Sequence, residues 1–229
     1  MIDVFVFDLD GVIIDSAADL AGGVNKMLSH FSLKTLDEKL LVSFVGNGAK
    51  KLVERALFAS TDGKIPTESE DFNTMFKWYV DFYEQNPVNK TVLYPKIDEL
   101  LKNLFEKEKK IALLTNKPSK IATKILQKFE ILQFFHCVSG PEQVKNLKPN
   151  PEGLVYTLQK INEKSNKTYT KDNVIMVGDS SVDIKAGKAF GCKTAGITGG
   201  IGNTQSLLAE KPDIVLKFAF ELENSVQLF

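Results

Sequence analysis

A chain of 229 residues with 43% hydrophobic and 25% charged side chains can bury a core without disulfides, as one large domain or one domain carrying an insert. Its 29 basic and 29 acidic side chains cancel, so bulk charge directs it to neither nucleic acid nor a membrane surface. No apolar run approaches the ~20 residues that span a bilayer, and Cys137 and Cys192 match no metal or redox spacing, so two reduced, buried thiols in a cytoplasmic protein are expected.

The run up to Phe7 holds an acidic residue and no basic stretch, and reads as a strand over 4–7 rather than a signal segment. From residue 16 to about 85 there is no strand pattern. Helical periodicity fills 18–31, 36–44, 49–58 and 72–84, with Thr35-x-x-Glu38 and Thr67-x-x-Glu70 read as capping boxes. Phe72, Phe76 and Phe82 follow helical spacing and read as core. Residues 86–94, with Pro87 and then Pro95 as punctuation, lead out of this segment. Beyond them helices (97–106, 121–129, 154–161) alternate with short apolar runs (111–114, 135–138, 174–177, 193–197, 214–216). Such alternation predicts an α/β fold, a Rossmann-like parallel sheet with a ligand crevice at the carboxyl ends of its strands. The expected division is an α/β core from 1–15 and 91–229, with an all-helical domain inserted at 16–90.

Polar residues that can carry chemistry sit directly after three of these strands, and a fourth group lies between the 135–138 run and the next helix. The first strand runs into Asp8-Leu9-Asp10-Gly11, where alternation along a strand turns both carboxylates to one side and Gly11 permits a sharp turn. Thr115-Asn116 follows 111–114 and offers a hydroxyl and an amide to phosphate oxygens, or a plain helix cap. Lys148-Pro149 precedes a helix starting near Pro151, and Lys148 is either a crevice cation or a solvated lysine. Gly178-Asp179-x-x-x-Asp183 follows 174–177. If a helix starts there, its two acids share a face, where they suit a hard cation or simply the helix dipole. His30 and His136 have no sequence partner and are not read as ligands, and Gly199-Gly200-Ile201-Gly202 is a flexible loop with no assigned role.

Together, Asp8-x-Asp10-Gly11, Thr115-Asn116, Lys148-Pro149 and Gly178-Asp179-x-x-x-Asp183 resemble the four motifs of the haloacid dehalogenase-like hydrolases, over essentially the whole chain. Val12 stands where many members carry threonine. The resemblance implies that Asp8 attacks phosphorus to form an aspartyl-phosphate and that Asp10 is the acid and then the base. It implies Mg²⁺ on Asp8, on the backbone carbonyl of Asp10 and on Asp179, with Asp183 binding the metal or orienting its waters. Thr115 and Asn116 would hold phosphate oxygens, and Lys148 would balance charge. The helical insert lies where that family carries a cap.

Within the insert, Gly46-Asn47-Gly48-Ala49-Lys50 is neither a P-loop nor a dinucleotide fingerprint. It reads as a helix–loop–helix turn, or as amides open to an anion. It is similar to the cap loop of the phosphoglycolate phosphatase subgroup, which implies 2-phosphoglycolate as substrate. Gly48, Lys50 and Arg55, the sole arginine, are then candidates for substrate contact, though Arg55 could instead pair with an acid of its own domain. The expected enzyme hydrolyses a small phosphorylated metabolite, without a nucleic-acid or membrane partner, as a monomer or homodimer. The alternatives are a β-phosphoglucomutase-like mutase, a phosphatase for pyrophosphate, nucleotides or sugar phosphates, and, as a non-enzyme, a phospho-accepting receiver-type module.

Overall fold

The computed structural model describes residues 1–46 and 48–225. Asn47 of the Gly-Asn-Gly loop lies outside them. The chain divides into two compact units, residues 1–15 with 93 onward, and Ser16–Val92. The first contains β1 (Val4–Phe7) and a two-residue strand, β2 (Ile14–Asp15). Among the described residues the second holds four helices, α1 (Ala17–His30), α2 (Glu38–Ser43), α3 (Ala49–Thr61) and α4 (Glu70–Gln85). After β3 (Val92–Leu93) the α/β unit resumes, with α5 (Ile97–Glu106), β4 (Lys110–Leu114), α6 (Ser119–Lys128), β5 (Cys137–Ser139) and α7 (Glu152–Glu163). It continues through β6 (Val174–Gly178), α8 (Ser181–Phe190), β7 (Lys193–Ile197), α9 (Thr204–Ala209), β8 (Ile214–Leu216) and α10 (Leu222–Ser225).

Six strands form one parallel sheet in the order β5-β4-β1-β6-β7-β8. All four residues of β1 are buried, as a central strand covered on both faces requires. Alternate residues pack to one side: Val4 and Val6, Ala112 and Leu114, Val174 and Met176 join Leu154 and Ile161 of α7 and Ala186 of α8 in one apolar cluster. The strand expected at 135–138 lies at Cys137–Ser139, because His136 is used at its approach, with its N–H donating to Ile111 O and its Nδ1 accepting from Ile111 N. Cys192 is buried, whereas Cys137 is half-buried; both are free thiols.

In the helical unit, apolar residues at helical spacing face inward: Leu20, Val24, Met27 and Leu28 of α1, Leu52, Val53, Ala56 and Leu57 of α3, Phe72, Met75, Tyr79 and Tyr83 of α4. His30 stacks on Trp78 at 4.6 Å between ring centroids. The two expected capping boxes are displaced by two residues. The caps are Asp37, accepting from Lys39 N and Leu40 N, and Ser69, accepting from Phe72 N. Each of these sits directly before the first turn, within reach of its orphan N–H groups, and the threonines do not. Asp19 is buried and accepts four hydrogen bonds, from the amides of Asn89 (2.9 Å), Lys90 (2.9 Å) and Thr91 (2.8 Å) and from the Thr91 hydroxyl (2.6 Å). It thereby ties α1 to the segment in which the unit ends. Among the described residues, no helix is long and apolar enough to cross a membrane.

Candidate active site

The strand order dictates where a site can form. From β1 the chain builds outward to β4 and β5 on one side, then returns to lay β6, β7 and β8 on the other. Crossovers leave β1 in opposite directions, which opens a crevice beyond the carboxyl ends of β1, β4 and β6. Phe7 is level with Leu113 and Val177, so Asp8, Thr115 and Asp179 emerge close together. The backbone is fastened there, with Asp8 N donating to Val177 O (2.9 Å) and Thr115 N to Ser139 O (3.0 Å).

Lys148 organises the carboxylates. It is 6% exposed, and its Nζ lies 2.9 Å from Asp8 Oδ1, 2.7 Å from Asp183 Oδ1 and 2.8 Å from Leu114 O. Asn116 holds Lys148 by its main chain, accepting from Lys148 N and donating to Lys148 O, both at 3.2 Å. Its amide is thus paired with a peptide group, where the sequence left it open to phosphate. Thr115 is buried, and its Oγ1 accepts from Lys117 N (3.1 Å).

Asp179 and Asp183 converge, but not along one helical face. Asp179 precedes Ser180, the residue that caps α8, and only Asp183 lies in the first turn. There it accepts from the backbone N–H of Ser180 (3.1 Å) and from the Ser180 hydroxyl, a capping arrangement that anchors Oδ2. Asp179 Oδ2 accepts from Ile201 N (2.9 Å) and Gly202 N (2.8 Å). The glycine-rich loop after β7 therefore touches the site, although the sequence offered no role for it. Strand β1 stops at Phe7, so alternation does not carry to residue 10, and the Asp10 carboxylate pairs with Lys117 Nζ at 2.7 Å. Lys117 escaped the sequence reading because nothing distinguishes it from the other lysines until β4 and the turn after it are placed. Gly11 has φ of +83°, and a Cβ there would collide with the Asp179 carboxylate, so the turn requires glycine for both conformation and space.

The electrostatics follow from this packing. Burial pushes Asp8 up to about 7 against the pull of Lys148, with Asp183 and Asp10 adding to the push. Burial also raises Asp179 well above the usual carboxylate range, helped by Asp183 and Asp8 and opposed by the two loop amides. For Lys148 burial disfavours the ammonium, but Asp183 and Asp8 outweigh it and its pKa is raised. Tyr94 is raised by burial and by Asp15, Asp179 and Asp10, which puts its phenol near the same acids.

Oxygens of Asp8, Asp179 and Asp183 lie within 4.8 Å of one another. Opposite oxygens around magnesium are ~4.2 Å apart, so the spread is near that of a small hard cation's shell. With all three carboxylates ionised, the one ammonium of Lys148, on Asp8 and Asp183, leaves two negative charges, which one divalent cation would neutralise. Donor type, spacing and charge therefore fit Mg²⁺.

The remaining candidates belong to the helical unit. Gly48 precedes α3 with φ of +84°, and Lys50 is exposed and 3.8 Å from Glu68 Oε1. The Arg55 guanidinium donates to Phe44 O at 2.9 Å, a backbone carbonyl.

Comparison with known proteins accords with this arrangement. The family model described as haloacid dehalogenase-like hydrolase matches residues 5–197. Phosphoglycolate phosphatase of Haemophilus influenzae is 36% identical, covering 91% of this chain and 91% of its own. That of Vibrio parahaemolyticus is 34% identical, covering 96% and 94%. A crystal structure of a predicted phosphoglycolate phosphatase from Haemophilus somnus superposes with a TM-score of 0.86 at 29% identity, covering 99% of this chain and 98% of that one. This chain belongs to the haloacid dehalogenase-like hydrolase family.

Proposed function

We propose that the protein is a magnesium-dependent phosphatase that releases inorganic phosphate from a small phosphate monoester, 2-phosphoglycolate before others. The observation that carries this reading is the contact of Lys148 Nζ with both Asp8 and Asp183, beside a third carboxylate from Asp179. In such a cluster the ammonium pulls against the burial that raises the attacking carboxylate, and the excess of acids leaves a charge deficit suited to a divalent ion. Relatives named phosphoglycolate phosphatase, aligned over nine-tenths or more of this chain, support the choice of ester.

Asp8 attacks phosphorus with a carboxylate oxygen while the bond from phosphorus to the ester oxygen breaks. Asp10 gives its proton to the departing oxygen. It then takes a proton from the water that attacks the aspartyl-phosphate, which frees inorganic phosphate and restores the Asp8 carboxylate. Lys117, held on Asp10 Oδ1, fixes that carboxylate's orientation. Thr115 donates its hydroxyl hydrogen to a phosphoryl oxygen, and Asn116 acts mainly by holding Lys148. Mg²⁺, held by Asp8, Asp179 and Asp183 with the Asp10 carbonyl, would supply positive charge against the transferring phosphoryl group. The helical unit serves as the cap that excludes water. Gly48 lends backbone amides there, and Lys50 is a better partner for the glycolate carboxylate than Arg55, which is already engaged on Phe44 O.

The test is a panel of phosphate release ranked by kcat/KM, with Mg²⁺ and with EDTA. It includes 2-phosphoglycolate, hexose phosphates, pyrophosphate and nucleotides. The expected result is Mg²⁺-dependent release, fastest from 2-phosphoglycolate. Phosphoryl retained on a hexose would make the enzyme a mutase, and no sustained release from any member would remove the enzymatic reading.

A further inference from the structure

We propose that Gly200-Ile201-Gly202 is a positioning loop for the metal, which fixes one oxygen of Asp179 so that the other is presented to the cation. The role rests on the metal-dependent reading above. Two adjacent amides, Ile201 N at 2.9 Å and Gly202 N at 2.8 Å, converge on the same atom, Asp179 Oδ2. Asp179 is 4% exposed, so water cannot readily replace these donors. The approach is tight enough to dictate residue type. A Cβ on Gly202 would strike the Asp179 carbonyl oxygen, and one on Gly200 would strike Gly11 O and the Asp179 side chain. Gly11 in turn leaves room for the Asp179 carboxylate. Asp179 is therefore clamped between the turn after β1 and the loop after β7. Groups that orient a metal-binding carboxylate by hydrogen bonding set its affinity as strongly as some ligands do.

The same geometry makes the amides reporters. A cation drawn to Asp179 polarises its carboxylate, and both N–H groups feel the change. In the whole wild-type protein, a Mg²⁺ titration followed by amide NMR is expected to shift Ile201 and Gly202 along one saturable curve. Leu9, whose N–H donates to Asp8 Oδ1 at 2.7 Å, serves as the internal reference. If Leu9 responds and the loop amides stay still, the loop has no role toward the metal and the proposal falls alone. If none of the three responds at saturating Mg²⁺, the metal-dependent reading falls and takes the loop with it. Calorimetry on Gly202→Ala is expected to give Mg²⁺ affinity ~10–100-fold weaker than wild type. Gly22→Ala, in α1 with open space around its Cβ, is expected to leave affinity unchanged. A folded Gly202→Ala with wild-type affinity overturns the proposal, and if that variant fails to fold, the wild-type titration decides.

Discussion

Lys148→Met keeps the aliphatic stem of the side chain and removes its charge. In the native protein that charge faces Asp8 and Asp183, and Asp183 is 0% exposed. Without it two carboxylates sit buried against each other with no counter-charge. Breaking a buried ion pair from one side costs ~3–5 kcal/mol, because the remaining charge has lost both partner and water. At ~2–4 °C per kcal/mol for a chain of this size, the melting temperature should fall by about 6–20 °C. Circular dichroism melting in EDTA measures this without a contribution from metal. The double variant Lys148→Met/Asp183→Asn should recover at least ~1 kcal/mol, since the new carboxamide keeps an oxygen for Ser180 while removing one of the stranded charges. A Lys148→Met protein melting within about 2 °C of wild type, or a double variant less stable than the single, would show that the lysine does not compensate these acids. Turnover should be lost in either variant.

Asp8→Asn should retain the fold and lose about 10⁶-fold in kcat, the size of effect seen when a protease loses its nucleophile, and stopped phosphate-release assays give the number. Asp19→Ala should destabilise the helical unit by about 2–3 kcal/mol, read by urea titration of the fluorescence of Trp78, the only tryptophan, which lies in α4. Burial alone would raise Asp19, but hydrogen bonds from Thr91, Asn89 and Lys90 hold it below the usual range. Its stabilisation is therefore complete above the unfolded value and is lost as pH falls through the lower folded one. The gap between wild type and variant should persist at neutral pH and close below about pH 3.9, and a gap that ignores acid would refute the hydrogen-bonding account. Lys50→Ala should raise KM for 2-phosphoglycolate more than for a neutral aryl phosphate. Equal effects on both would take Lys50 out of substrate recognition.

Much of this site is legible in the sequence because its residues follow buried strands. Four apolar residues in a row from Val4 announce a strand, and the polar residue after it must lie at the carboxyl end of the sheet. The same logic locates Thr115 and Asp179, while Lys148 was marked by its place just before α7. What sequence could not carry was backbone chemistry and pairing. Ile201 and Gly202 act through N–H groups that nearly every residue has, so side-chain type gives no sign of them. Asn116 was read by its amide alone, and only the neighbouring Lys148 peptide reveals where that amide is spent. Lys117 became visible once Asp10 was seen to fall outside the strand. The displaced caps have a simpler cause. Thr35 and Thr67 match the capping pattern, but Asp37 and Ser69 match the backbone.

The order β5-β4-β1-β6-β7-β8 also has a consequence for how the protein is made. β1 leaves the ribosome ahead of every other strand, yet it belongs in the middle of the sheet. Its partner β6 begins at Val174, about 170 residues later, which at cellular synthesis speeds of ~5–20 residues per second is a wait of about 10–35 s. Until then one edge of an apolar strand has no native neighbour, and the acids at its tip wait for Lys148 and, longer still, for the loop at 200–202. The helical unit meets no such delay, because its partners all lie within Ser16–Val92. It can close while the sheet around β1 is still being written, which makes the nascent core, rather than the helices, the part most in need of protection by chaperones.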